Sequence, residues 1–372
     1  MYSEIQFHKL INMKILKKTL IALLALILIP LLSVFIYLFS VSSGKAVAVE
    51  GSETTPLKNS IYEIETKTIG NLQQKLIIYG QNKENPVLLF LHGGPGMPVF
   101  PMVNAINKEL EKHVTIVYWQ QRGSSVSPVK ESNKENLNID LFINDTIEIS
   151  EYLKTRFKKK KIYLMGQSWG ALLAMLVIDK RPDLFKAYLG ISQLSNWTES
   201  DNRAYQWALK HAKESGNTDA LIELENLAPY SSTDLNKKGV LLSYVSANGA
   251  GVMHDMSKMF SALILPLLTA REYTLGEKMN YFPVLVESSQ VMIPDLLSIN
   301  LFKKVPKIKI PIYILHGKHD QQANYSISKE YFNYLKAPKK KFITFENSAH
   351  GMIMEEPEKY RKIVIEDFLK NN

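Results

Sequence analysis

The chain of 372 residues contains no cysteine. That absence excludes disulfide bridges, thiolate metal sites and a cysteine nucleophile, and also the acylated cysteine by which bacterial lipoproteins hold to a membrane. Any membrane attachment must therefore be made by the polypeptide itself. Internal repeats of 20–50 residues and low-complexity tracts are lacking too. No nucleic-acid-binding motif accompanies the formal charge of +9, so the lysines read as a solvated surface and nucleic acid is not an expected partner. Nothing in the sequence points to a metal or an organic cofactor.

Charge is missing from residues 19–43. This run is long enough to cross a hydrocarbon core of ~30 Å, which takes about 20 apolar residues. Pro30 lies within it and is tolerated there better than in a soluble helix. Lys9, Lys14, Lys17 and Lys18 precede the run against Glu4 alone. The positive-inside bias then keeps residues 1–18 in the cytoplasm and sends the rest across as a single-pass, extracytoplasmic domain. A cleaved signal peptide is the alternative, since Ala46-Val47-Ala48 forms a small-x-small site. Residues 44–60 are small and polar and read as a tether.

Beyond residue 60 come eight short runs rich in Val, Ile, Tyr or Phe: IYEIET, KLIIYG, PVLLFLH, VTIVYW, KIYLM, KAYLGI, IPIYIL and KFITF. Helical patterns at 139–158, 170–180, 325–336 and 356–370 alternate with the later ones, which predicts an α/β fold with a mostly parallel sheet. The stretch 192–304 breaks the alternation and is mainly helical in pattern, so it reads as an inserted cap. The core is then 61–191 together with 305–372. Basic runs at 158–161, 303–309 and 339–341 each precede a strand, so they should share one edge of the sheet. That edge is a candidate for contact with anionic lipid, with any site at the strand ends facing away from the bilayer; the alternative is that these lysines complement helix C-termini and stay in water.

KIYLM runs into Gly166-Gln167-Ser168-Trp169-Gly170 and then an apolar helix, a strand, G-x-S-x-G, helix context that predicts a nucleophile elbow. The sharp turn strains Ser168, and the positions two before and two after it have no room for a Cβ. A serine hydroxyl needs a base and an acid that orients the base. In chain order these follow the late strands: Asp320 after IPIYIL and His350 after KFITF. His92, His316 and His319 compete as base, but only His350 follows the final strand with a helix still to come. Alone, Asp320 would read as a turn residue. The loop LHGGPG at 91–96 leaves an earlier strand, where backbone amides of Gly94 and Trp169 could form an oxyanion hole.

With HGGPG, YWQQRG, GQSWG, GKHD and SAHGMIMEEP, the chain resembles the proline iminopeptidase-like branch of the α/β-hydrolases from about Ile61 onward. The resemblance implies Ser168 as nucleophile, His350 as general base, Asp320 as its orienting acid, and a substrate pocket shaped by the cap. It implies an aminopeptidase acting on small peptides or amides through an acyl-enzyme. That family usually has Asp where this chain has Gln120, which bears on the support of Arg122. Cap carboxylates hold the substrate amine in such enzymes; Glu199, Glu272 and Glu287 are the candidates here, each equally readable as a solvated residue. A carboxylesterase acting on small esters with the same triad is the first alternative. A non-catalytic binding protein on a hydrolase shell is the second. Ser168 at the elbow excludes epoxide hydrolase and dehalogenase chemistry, which need Asp there.

Overall fold

The computed structural model describes residues 2–47, 58–129 and 136–372, with the side chains of 2–15 excepted. Most of the expected tether at 44–60 lies outside these residues. All eight expected strands are present: β1 (Ile61–Ile69), β2 (Leu72–Gly80), β3 (Val87–Leu91), β4 (Thr115–Gln120), β5 (Ile162–Gln167), β6 (Phe185–Ile191), β7 (Ile312–Gly317) and β8 (Lys340–Phe345). They form one sheet in the order β1-β2-β4-β3-β5-β6-β7-β8. β1, β2 and β4 pair antiparallel, and the rest of the sheet is parallel. β3, β4, β5 and β7 are buried along their whole length. This is why they read as unbroken apolar runs: helices cover both faces, and no face is left for polar alternation.

Helix α1 (Tyr2–Ser40) precedes the sheet. Its segment Leu16–Ser40 is 25 residues long, apolar and without buried residues, and so long enough to span a membrane. One layer of core joins the sheet to α3 (Ile139–Arg156) and α4 (Trp169–Lys180). The other packs α2 (Phe100–Asn107) and the C-terminal helices through Phe100, Val103, Tyr360 and Phe368. α2 was not legible as a helix in the sequence.

Between β6 and β7 the chain builds helices at Trp197–Glu214, Thr218–Glu225 and Leu235–Ala247, then a second group that includes Tyr281–Ser298 and ends with the short helix Leu301–Lys304. The first three have a small core of their own around Ala204, Ala208, Leu224, Leu241 and Val245. Ala204, Ala208 and Ala212 recur every fourth residue, which lets the neighbouring helices approach closely.

The lysines of the first two basic runs precede β5 and β7, those of the third lie at the start of β8, and they are mostly exposed. Some are engaged within the chain. Lys340 Nζ donates to the carbonyls of Phe332 and Leu335 (2.7 and 2.8 Å) at a helix C-terminus, and Lys341 pairs with Asp367.

Candidate active site

Strand order reverses around β3, between β4 and β5, and the loops leaving these strands meet at the carboxyl edge of the sheet. Ser168 stands between β5 and α4 with φ 55° and ψ −116°, a strained conformation for a residue with a side chain. The two flanking glycines have a measurable reason. A Cβ on Gly166 would lie 2.4 Å from the Gly170 carbonyl oxygen, and one on Gly170 would lie 2.2 Å from the Leu91 carbonyl oxygen on β3.

Two strands away, after β7, Asp320 is fully buried; three strands away, after β8, His350 is half-buried. His350 Nδ1 lies 2.8 Å from Asp320 Oδ2. The other carboxylate oxygen, Oδ1, accepts the backbone N–H groups of Gln322 (2.8 Å) and Ala323 (3.0 Å). His316 Nε2 sits 3.0 Å from Oδ2 but out of line for a well-formed hydrogen bond. Burial alone would raise the Asp320 pKa. The charge of His350 and the contacts of His316 and His350 outweigh it and hold the carboxyl well below the ordinary range. The carboxylate can only accept, so His350 carries its proton on Nδ1 and turns Nε2 away from Asp320. Ser192, at the end of β6, donates its hydroxyl to the His350 carbonyl (2.8 Å).

Ser168, His350, Gly93 and Gly94 line one cavity of about 550 Å³. Among the described residues the amide N–H groups of Gly94 and Trp169 have no acceptor. The remaining histidines named by the sequence sit elsewhere. His92 is buried and its pKa is pushed down to about 4 by desolvation. Its Nδ1 lies 2.8 Å from the Gly93 carbonyl, and its Nε2 accepts the Gln121 N–H (3.1 Å). His319 stacks on His254 at 3.7 Å between ring centroids.

Gln121 is a residue the sequence reading did not single out. Its Nε2 donates to the His92 carbonyl (3.0 Å) and its Oε1 accepts the Trp169 indole N–H (3.0 Å). One side chain thus ties the HGGPG loop to the residue after Ser168. Its place in YWQQRG was visible, but not its direction. The neighbouring Arg122 does not depend on residue 120: its guanidinium forms a buried two-bond pair with Asp145 (2.6 and 2.7 Å). Gln120 instead accepts the Tyr273 hydroxyl.

None of the three candidate cap carboxylates lines the cavity. Glu199 occupies the first turn of its helix and pairs with Arg203 (2.9 Å). Glu272 is buried and accepts the Tyr79 hydroxyl (2.6 Å). Glu287 is exposed on the helix Tyr281–Ser298. Among the described residues the carboxylate that does line the cavity is Asp201, two residues beyond Glu199 in the same helix. Lys238 Nζ donates to it at 2.6 Å, and the Trp197 indole N–H at 3.2 Å. Helical pitch separates the two acids: residues two apart point to different faces.

Comparison with known proteins agrees with this architecture. Residues 86–357 match the family model described as alpha/beta hydrolase fold. The "Probable aminopeptidase YbaC" of Bacillus subtilis (strain 168) is 38% identical over 304 residues, covering 81% of this chain and 95% of that protein. The "Proline iminopeptidase" of Clostridioides difficile (strain 630) is 28% identical, covering 78% and 92%. Among solved structures, proline iminopeptidase from Mycobacterium smegmatis superposes with a TM-score of 0.59 at 16% identity, covering 83% of this chain and 98% of that one. An esterase from Exiguobacterium antarcticum gives 0.56 at 15%, covering 83% and 100%. These two likenesses speak for the fold alone. By the family match and the identity across four-fifths of its length, the chain belongs to the α/β-hydrolase fold family, as a serine hydrolase.

Proposed function

We propose that the protein is a membrane-anchored serine aminopeptidase that releases N-terminal residues from small peptides or amides. The observation that carries the reading is the Asp320–His350 contact at 2.8 Å on a cavity shared with the strained Ser168. In this reading His350 Nε2 takes the Ser168 proton as Oγ attacks the scissile carbonyl. The negative charge that develops on the carbonyl oxygen meets the free amides of Gly94 and Trp169 at the positive end of α4. Collapse expels the amine, which leaves with the proton from His350. Water, activated by the same histidine, then frees the acyl group and restores Ser168. The helix Leu16–Ser40 supports a single-pass anchor with the catalytic part outside.

Ser168→Ala tests the nucleophile: covalent labelling by a fluorophosphonate and turnover should both vanish while the circular dichroism spectrum is kept. Retained labelling would remove Ser168 from the mechanism. A second reading, a carboxylesterase, draws on one observation. Asp201 already carries a cation at 2.6 Å, and much of the remaining wall is apolar, including Met97, Val99, Met102 and Leu242. Blocking the substrate amine separates the two readings: an aminopeptidase loses most of its rate, an esterase keeps it.

A further inference from the structure

We infer that two uncharged stretches of the cap, 259–270 and 279–286, rest in the lipid interface beside the anchor, so that the cavity takes its substrate from the bilayer. The inference rests on the anchor reading above. The occupant it commits to is a phospholipid bilayer, and the substrate class is an amphiphile with an apolar tail next to its scissile amide or ester.

The chain leaves the membrane-length helix at Ser40 and is fastened to the cap almost at once. The Ser42 hydroxyl accepts a hydrogen bond from Lys278 Nζ (2.8 Å), Ser43 bridges to Thr274, and the Lys45 amide donates to the Arg271 carbonyl (3.3 Å). Two residues reach at most about 7 Å, so Lys278 sits close to the end of the helix. A 25-residue span is ~37 Å long against a hydrocarbon core of ~30 Å, which leaves Ser40 at or just beyond the headgroup boundary. Tyr37 near that end is of the type that settles at this depth.

Met279 follows Lys278 directly and ends its short helix, and Phe282 lies in the first turn of the next helix. Both are large and open to solvent, Met279 at 69% and Phe282 at 49%; so are Phe260 at 59% and Val286 at 53%. No charged residue occurs in 259–270 or 279–286. Singly exposed apolar side chains need no explanation, but a set of them beside a membrane anchor does.

The same stretches reach the active-site cavity. Leu263, Leu285 and Val286 line it together with Ser168 and His350. Val286 is exposed and part of the wall, and it lies one turn along the helix Tyr281–Ser298 from the exposed Phe282. Lys75 Nζ pairs with Glu277, and Lys75 lies opposite Gln120 at the carboxyl end of β4, which fixes this part of the cap at the sheet edge that carries Ser168. The bilayer is thus met by the catalytic edge. This reverses the orientation expected from the basic runs, which lie at the other edge.

The absence of cysteine makes the test direct. Phe260→Cys, Phe282→Cys and, on the cap but away from these stretches, Ile222→Cys are made in the full chain, labelled with an environment-sensitive fluorophore and reconstituted into phosphatidylglycerol–phosphatidylethanolamine vesicles. The labels at 260 and 282 should be quenched by nitroxide-bearing lipid and spared by aqueous iodide, and the label at 222 should show the opposite. Iodide quenching at all three sites, in a chain that resists alkaline carbonate extraction, overturns the inference and leaves the anchor intact. Extraction by carbonate overturns the anchor and the inference with it. Protection from iodide without lipid quenching means that a protein covers the face, and also overturns it. As a second readout, Phe260→Glu/Phe282→Glu should lower turnover of a long-chain aminoacyl alkylamide in vesicles about tenfold and leave a short, soluble aminoacyl amide unaffected; equal losses on both substrates would refute the proposal.

Discussion

Two buried aspartates stand at this site, and the core and the cap treat them in opposite ways. Asp320, in the core, faces two histidines and two backbone amides, and its carboxyl is held below the usual range despite full burial. Asp201, in the cap, has a lysine at 2.6 Å, yet burial dominates and its pKa is raised. Lys238 mirrors this: burial lowers its pKa, and Asp201 only partly offsets the effect. The two histidines thus outweigh burial at Asp320, whereas a lysine does not at Asp201, where the lysine must itself be desolvated. The core holds a fixed charge, whereas burial works against the charged form of both members of the cap pair.

The largest expected effect tests the fixed charge. Asp320→Asn should lower kcat about 10⁴-fold with KM nearly unchanged, since the His350 tautomer is lost but the cavity is not. A loss under tenfold would show that the two aspartates are not so different.

The cap pair should be costly to break and cheap to delete. Asp201→Ala strands Lys238 beside the cavity and should destabilise by about 3–5 kcal/mol in urea unfolding. Asp201→Leu/Lys238→Met should be within ~1 kcal/mol of wild type or more stable. If the double variant is as unstable as the single one, the pair is a structural device like the core's.

Stability against pH should separate the two by sign. The depressed Asp320 contributes stability that is present above its unfolded pKa of ~3.9 and is lost as pH falls through its lower folded value. The raised Asp201 acts in reverse: its penalty is absent below ~3.9 and grows as pH rises to its folded value. Asp320→Asn should therefore flatten the acid limb of a pH-stability curve, and Asp201→Asn should remove the penalty that grows with pH while lowering stability overall, because Lys238 loses its counter-charge.

The smallest effect concerns the link between loops. Gln121→Leu unties Trp169 from the HGGPG loop without touching the reacting atoms. It should lower kcat by less than the ~10²–10³ that loss of an oxyanion donor costs, with KM and the pH profile unchanged. A shifted pH profile would point to His350 instead.

The core was legible because its strands are buried on both faces and its glycines are dictated by backbone collisions, as at Gly166 and Gly170. Chain order then singled out Asp320 and His350. The cap offers no such order. Glu199 and Asp201 share a helix, and only the rotation of that helix about its axis, set by packing of Ala204 and Ala208, decides which one sees the cavity. Gln121 was hidden for a similar reason: at the end of β4 a one-residue difference in direction sends Gln120 to Tyr273 and Gln121 to Trp169.

The strand order has a consequence for when activity begins. Ser168, Ser192, Asp320 and His350 leave the ends of four adjacent strands, β5 to β8, and the last two strands are made after the whole cap. On the proposed reading, a chain emerging from N- to C-terminus therefore carries its nucleophile without its base until the final strand docks. In the proposed mechanism such a chain is latent during synthesis and during any passage across a membrane, because its serine cannot yet be acylated by a substrate. On that reading, docking of β8 against β7 is the step that completes the site.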